Sequence, residues 1–154
     1  MAFSLVALLV VVADQLTKTW IRSYLALGQA IPPAGFWQIV HARNTGAVFG
    51  LFPNQSFVLT IVALIGIVLI LVFALFYLRQ FSYINNLSCH LALGLILGGT
   101  IGNLIDRIRL GYVTDFINIG IWPAFNIADS AVTVGALTLA YYLLHWAFTE
   151  KEHG

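Results

Sequence analysis

The chain has 154 residues, of which 60% are hydrophobic and 8% charged, and a mean hydropathy of +0.93, well outside the balance of a soluble globular domain. A net charge of +1 with no basic run gives nothing for nucleic acid to bind, so no such partner is expected. The single cysteine, Cys89, excludes an internal disulfide and a cysteine metal cluster, and its apolar setting marks it as a small buried side chain.

At this length one domain spanning residues 1–154 is expected, with most of it consumed by membrane helices of about 20 residues each. The first helix is placed at 2–21: the apolar run up to Ala13 is only about 18 Å long at 1.5 Å per residue, so the span must include Asp14 and Lys18. It has no basic n-region, and Asp14-Gln15 falls where a cleavage site would lie, so it is read as a retained helix. Residues 25–56, with Pro32-Pro33, several glycines and the β-prone FWQIVHA, predict an exposed loop with strand character. An uncharged run at 57–78, closed by Arg79-Gln80, makes the second span, and a polar turn through Asn85-Asn86 follows. The third span, 87–105, carries Gly94, Gly98, Gly99 and Gly102, small residues that allow close helix packing, above all at Gly98 and Gly102. Residues 106–126 return to exposed, strand-like sequence (YVTDFINIGIW), and 127–148 form the fourth span. The expected fold is therefore an all-α integral membrane protein of four transmembrane helices with a small β-rich cradle.

Four spans place both termini on one side, and the parity gathers Asp14, Lys18, Asn44, Asn103, Asp106, Asp115, Asn126 and Asp129 at the opposite face. Ionisable groups in a bilayer cost several kcal/mol unless paired, so such a one-sided collection points to a site rather than to structure. Lys18, Arg22, Arg43, Arg107 and Arg109 lie on that face against Arg79 and Lys151 on the other, a balance that by the positive-inside rule would turn the site toward the cytoplasm. Lys18, Arg43 and Arg107 sit within a few residues of acids or amides and can belong to the site itself, so composition leaves the orientation open.

The chemistry available there is narrow. There is no H-E-x-x-H, phosphate loop or G-x-S-x-G, and a Ser130–His41–Asp arrangement has no positional support. Glutamate is confined to the tail, leaving Asp14, Asp106, Asp115 and Asp129 for acid–base work. Two carboxyls sharing one proton can activate water and polarise a scissile carbonyl without a metal, a cofactor or a nucleophilic side chain. Asp14 stands four residues before Lys18, the spacing of an intrahelical ion pair. Asp106 has Arg107 beside it and Asn103 three residues earlier, a built-in counter-charge and amide. Asp115 lies in apolar VTDFI with no adjacent base, a setting that raises a carboxyl pKa, and Asp129 opens the fourth helix with Asn126 placed to cap it. Asp115 with Asp129 is the favoured pair and Asp106 the reserve. A reading of all four as structural ion pairs and caps stays open at this level, as do a proton-coupled transporter and a non-enzymatic assembly protein. A proton-coupled transporter would want acids near the midplane, an internal repeat and an exit on the far side, none of which the sequence shows.

DQLTK at 14–18, RNTGAVFG at 43–50, GGTIGNLIDR at 98–107, VTDFI at 113–117 and FNIAD at 125–129 occur in this order and together resemble the lipoprotein signal peptidase (signal peptidase II) family over nearly the whole chain. The resemblance implies a catalytic pair at Asp115 and Asp129, with supporting roles for Asp14, Lys18, Asn44, Asn103, Asp106, Arg107 and Asn126, and neither metal nor cofactor. It departs from the family pattern at Val48, where alanine is usual, and at Thr114, where valine is common. It further implies a bacterial inner-membrane enzyme, acting as a monomer with cytoplasmic termini. The expected substrate is a diacylglyceryl-modified prolipoprotein, received laterally from membrane lipid and cut before the lipidated cysteine at the extracytoplasmic face. Trp37, Phe49, Phe52, Trp122 and Phe125 would then line the cradle, although an interfacial aromatic belt accounts for them equally well.

Overall fold

The computed structural model describes residues 1–46, 55–80 and 86–151. The expectations that rest on Val48, Phe49, Phe52 and Asn85, and on the side chains of Arg79 and Lys151, lie outside the described residues. Among the described residues, four helices are long and apolar enough to cross a membrane. They are α1 (Ala2–Tyr24), α2 (Ser56–Gln80), α3 (Leu87–Leu110) and α4 (Ile127–Lys151), joined by β1 (Ala30–Ile31), β2 (Trp37–Asn44), β3 (Val113–Ile119) and β4 (Trp122–Phe125).

α3 is the axis of the bundle. Its glycines remove the side chains that would hold its neighbours away: a Cβ at Gly98 would stand 2.6 Å from the carbonyl oxygen of Ala7 on α1, closer than packing permits. On α4 the facing positions are Ala128, Ala131 and Gly135, all buried. α2 is the least embedded helix, with no buried residue among those described from Ser56 to Phe76. It is held near its C-terminal end, where Ile70, Phe73 and Ala74 pack with Phe3, Leu139 and Tyr142 around buried Cys89 and Leu93.

Asn86 starts α3 by accepting the Cys89 N–H on its side-chain oxygen at 2.9 Å. The helix continues five residues beyond the end expected at 105, carrying Asp106 and Arg107 with it rather than releasing them into a loop. Nothing between Ile105 and Leu110 breaks a helix. Gly111, at φ +78°, does so in the left-handed region, with its N–H returning to the Arg107 carbonyl at 3.0 Å.

The four strands form one antiparallel sheet in the order β1-β2-β3-β4. Its centre is the β2–β3 pair, in which Ile39 faces Ile117 and Ala42 faces Asp115. That register needs one extra residue in β2 between Ile39 and Ala42, a bulge. The sheet is fastened to the bundle through Phe116, which packs with Ile21 and Leu25 at the end of α1. His41 adds a polar tie at the same corner, its Nδ1 lying 2.9 Å from the Leu25 carbonyl oxygen.

Candidate active site

Where the sheet meets the ends of α1, α3 and α4, the polar residues singled out in the sequence come together in one buried network. Asp14 and Lys18 occupy the α1 stripe that faces inward, and both are fully buried. Lys18 Nζ lies 2.8 Å from Asp14 Oδ2 and 3.7 Å from Asp106 Oδ2, and donates to Asn103 Oδ1 at 2.8 Å. The other oxygen of Asp14 accepts the Ala128 N–H at 3.0 Å, so an α1 carboxylate neutralises part of the N-terminal charge of α4.

Asp106 forms its ion pairs with Lys18 and Arg22 of α1, while Arg107, the adjacent charge expected to pair with it, adds a longer-range attraction. Arg22 Nη1 is 3.5 Å from Asp106 Oδ1, and Lys18 stands on the other oxygen. The reason is helical geometry: neighbouring residues point about 100° apart, so Asp106 and Arg107 cannot share a face. Arg107 reaches toward the sheet, donating to the Gly46 carbonyl at 3.5 Å, and its charge is attracted by Asp129, Asp115 and Asp106 in that order. Asp106 Oδ2 also accepts the Thr114 backbone N–H at 2.9 Å, which fixes the start of β3 against α3.

β3 carries Asp115 into this network, 2% exposed. One of its oxygens accepts from Asn126 Nδ2 at 2.7 Å and the other from Asn44 Nδ2 at 2.9 Å. Burial, followed by the Asp129 charge, pushes the Asp115 carboxyl up to about 7, against the opposing hydrogen bonds from Asn44 and Asn126. Asp129 stands in the first turn of α4. It accepts from Asn103 Nδ2 at 2.8 Å and from the Asn126 backbone N–H at 3.2 Å. The two aspartates therefore share one scaffold of amides, since Asn126 bonds both and Asn103 links Asp129 to Lys18.

A cavity of about 300 Å³ opens beside Asp129, lined by Asn44, Trp122, Pro123, Ala124, Phe125, Ser130, Thr133 and Val134. Of the expected cradle aromatics, Trp122 and Phe125 lie in this wall. Trp37 stands elsewhere, at the end of β2 opposite Ile119, edge-on to Phe36. Ser130 and His41 are not brought together: the serine hydroxyl bonds its own helix at the Asn126 carbonyl, and His41 Nδ1 faces Leu25. Arg43 stacks over Tyr112, 4.6 Å from the ring centre.

Two contributors were not among the expected site residues. Gln15 Nε2 donates to the Gly102 carbonyl at 3.0 Å and touches Asp14 and Asp106 at 3.3 Å each. Arg22 Nη1 donates to Thr114 Oγ1 at 2.9 Å, which gives the unusual threonine of VTDFI a partner. Arg22 was detectable from its place four residues after Lys18 and eight after Asp14, on the same helical stripe. Gln15 carries no comparable signal.

A multi-pass bundle with its ionisable side chains collected at one end, under a small sheet and beside an apolar cavity, is the layout of a membrane-embedded enzyme. The family model described as signal peptidase (SPase) II matches residues 6–145. A lipoprotein signal peptidase of Dehalococcoides mccartyi is 48% identical over 129 residues, covering 84% of this chain and 80% of the relative. One from Moorella thermoacetica is 41% identical over 147 residues, covering 94% and 93%. A solved structure described as a bacterial membrane enzyme superposes with a TM-score of 0.82 at 33% identity, covering 92% of this chain and 86% of that one. The chain belongs to the signal peptidase II family, membrane proteases of peptidase family A8 that process lipoproteins.

Proposed function

We propose that the chain is an aspartic endopeptidase in which Asp115 and Asp129 form the acting pair, cleaving diacylglyceryl-modified prolipoproteins before the lipidated cysteine. The observation that carries this reading is the Asn126 bridge: one residue donates to both carboxyl groups, 2.7 Å to Asp115 and 3.2 Å to Asp129, and Asp129 lines an open cavity. The raised carboxyl of Asp115 makes it the proton holder, and Asp129, lining the cavity, is the base.

Asp129 removes a proton from water as the oxygen adds to the scissile carbonyl, and Asp115 hydrogen-bonds and then protonates the carbonyl oxygen, giving a tetrahedral diol. Collapse breaks the C–N bond. The proton gained by Asp129 goes to the leaving amine of cysteine, and Asp115 recovers its own from the diol hydroxyl. Asn44 and Asn126 hold Asp115 throughout, while Arg107 and Asn103 stabilise charge on Asp129. No step requires a metal or a cofactor.

The apolar wall of Trp122, Pro123, Phe125 and Val134 suits a residue that carries acyl chains, and the exposed flank of α2 leaves room for a signal-peptide helix to approach from lipid. The site belongs at the extracytoplasmic face of the bacterial inner membrane, with cytoplasmic termini, and the chain works as a single-domain monomer. Lys18 and Arg22 are paired with Asp14 and Asp106, so they are poor topology signals despite their count.

The test is cleavage by purified protein of a lipid-modified prolipoprotein beside its unmodified counterpart. Only the modified substrate should be cut, and Asp115→Asn and Asp129→Asn should abolish cutting while remaining folded. Normal processing by either variant rules out the pair.

A further inference from the structure

The strand that carries Asp115 is tied to the bundle just before that residue, and one of the ties comes from a side chain outside the carboxylate–amide network. Thr114 is fully buried and uses three groups: its N–H donates to Asp106 Oδ2 at 2.9 Å, its carbonyl accepts from Asn126 Nδ2 at 3.4 Å, and its hydroxyl accepts from Arg22 Nη1 at 2.9 Å. The same Nη1 reaches Asp106 Oδ1 at 3.5 Å, while Nη2 is braced on Thr19 Oγ1 at 3.1 Å. A planar guanidinium held at both ends fixes Thr114 in direction as well as distance. Arg22 remains 20% exposed and touches neither Asp115 nor Asp129 by any hydrogen bond described, so its influence on them runs through Thr114.

We propose that Arg22 is a positioning residue: by clamping the Thr114 hydroxyl and Asp106 together it sets where the Asp115 carboxyl stands relative to Asp129. This rests on the reading of Asp115 as one of the acting pair. Misplacing a reacting group by about 1 Å can slow chemistry roughly a hundredfold, so a smaller shift is expected to lower kcat by roughly tenfold.

The experiment compares the full-length parent with Arg22→Ala, Thr114→Val and the double variant, measuring kcat and KM on a lipid-modified prolipoprotein alongside thermal unfolding in the same detergent. Arg22→Ala should lower kcat by roughly tenfold, with KM unchanged within about twofold. Thr114→Val should lower kcat in the same sense. Added to Arg22→Ala it should have no further effect, because the hydroxyl has lost its donor. Effects that multiply in the double variant, a change confined to KM, or a kcat unaltered in Arg22→Ala overturn the proposal. If Arg22→Ala does not fold, the near-isosteric Thr114→Val decides alone: unchanged kcat refutes the clamp. Asp115→Asn, run in parallel, separates the two levels, since an active Asp115→Asn defeats the paired-aspartate reading itself, whereas an inactive one beside a fully active Arg22→Ala defeats only the clamp.

Discussion

Asn126 and Asp129 cap each other: the Asp129 N–H donates to Asn126 Oδ1 at 2.9 Å, and the Asn126 N–H donates back to Asp129 Oδ2 at 3.2 Å. This is a reciprocal cap at the start of α4, built from an amide and a carboxylate. Asp129 thus has a folding role that any substitution disturbs along with its chemistry. Asp129→Asn keeps an acceptor oxygen and should unfold within a few degrees of the parent while losing cleavage. Asp129→Ala removes the acceptor and should cost about 1 kcal/mol more. Thermal unfolding in detergent, paired with the cleavage assay, distinguishes the two.

The pH dependence follows from Asp115. Folded, it keeps its proton up to about pH 7, whereas the unfolded carboxyl releases it near 3.8. Its contribution to stability is therefore complete below about pH 3.8 and is lost as pH rises through 7. Asp115→Asn cannot lose a proton, so its melting temperature should gain on the parent between pH 5 and pH 8. A constant gap would mean that Asp115 is ionised throughout. Cleavage by the parent should decline above about pH 7, as the proton holder empties.

Asp106→Asn tests the division between support and chemistry. The carboxylate meets Lys18, Arg22 and the Thr114 N–H in a setting that is almost fully buried. Removing its charge leaves Arg22 without its carboxylate, for a loss of about 3 kcal/mol. Cleavage should fall but persist. Complete loss of turnover at unchanged stability would instead place Asp106 in the acting pair.

Gly102→Ala tests the fit between α1 and α3. A Cβ there would lie 2.6 Å from Asp14 Oδ2, so the methyl must displace a buried carboxylate that is also bonded to Lys18 and Ala128. A loss of about 1–3 kcal/mol is expected, measurable by thermal unfolding. Unchanged stability would mean that the network can shift to accommodate a methyl.

Much of the fold was legible because hydropathy and parity are coarse signals. The four spans, the strand character of FWQIVHA and VTDFINI, and the convergence of Asp14, Lys18, Asn103 and Asn126 all follow from residue types and spacing. What stayed hidden was direction. The ion pairs of Asp106 are made not by its neighbour in sequence but by Lys18 and Arg22, on a helix more than eighty residues distant. Adjacency along the chain is a poor guide to pairing on a helix, and the sequence holds no mark of which end of Arg22 is braced. The extension of α3 to Leu110 was similarly unread, because polar Asp106 and Arg107 look like a boundary until their burial is seen.

The extra residue in β2 sets a rule about length. Side chains alternate between the two faces of a strand, yet Ile39 and Ala42, an odd number of positions apart, face Ile117 and Asp115 on the same side. Asn44 inherits that side, which is why its amide can meet Asp115. Deleting a residue inside the bulge would only straighten the strand, whereas deleting Arg43, in the regular stretch from Ala42 to Asn44, would turn Asn44 to the opposite face. From Ala42 to Asn44 the chain can vary its side chains more freely than its residue count: an insertion or deletion there is a site mutation, although it alters no residue of the site.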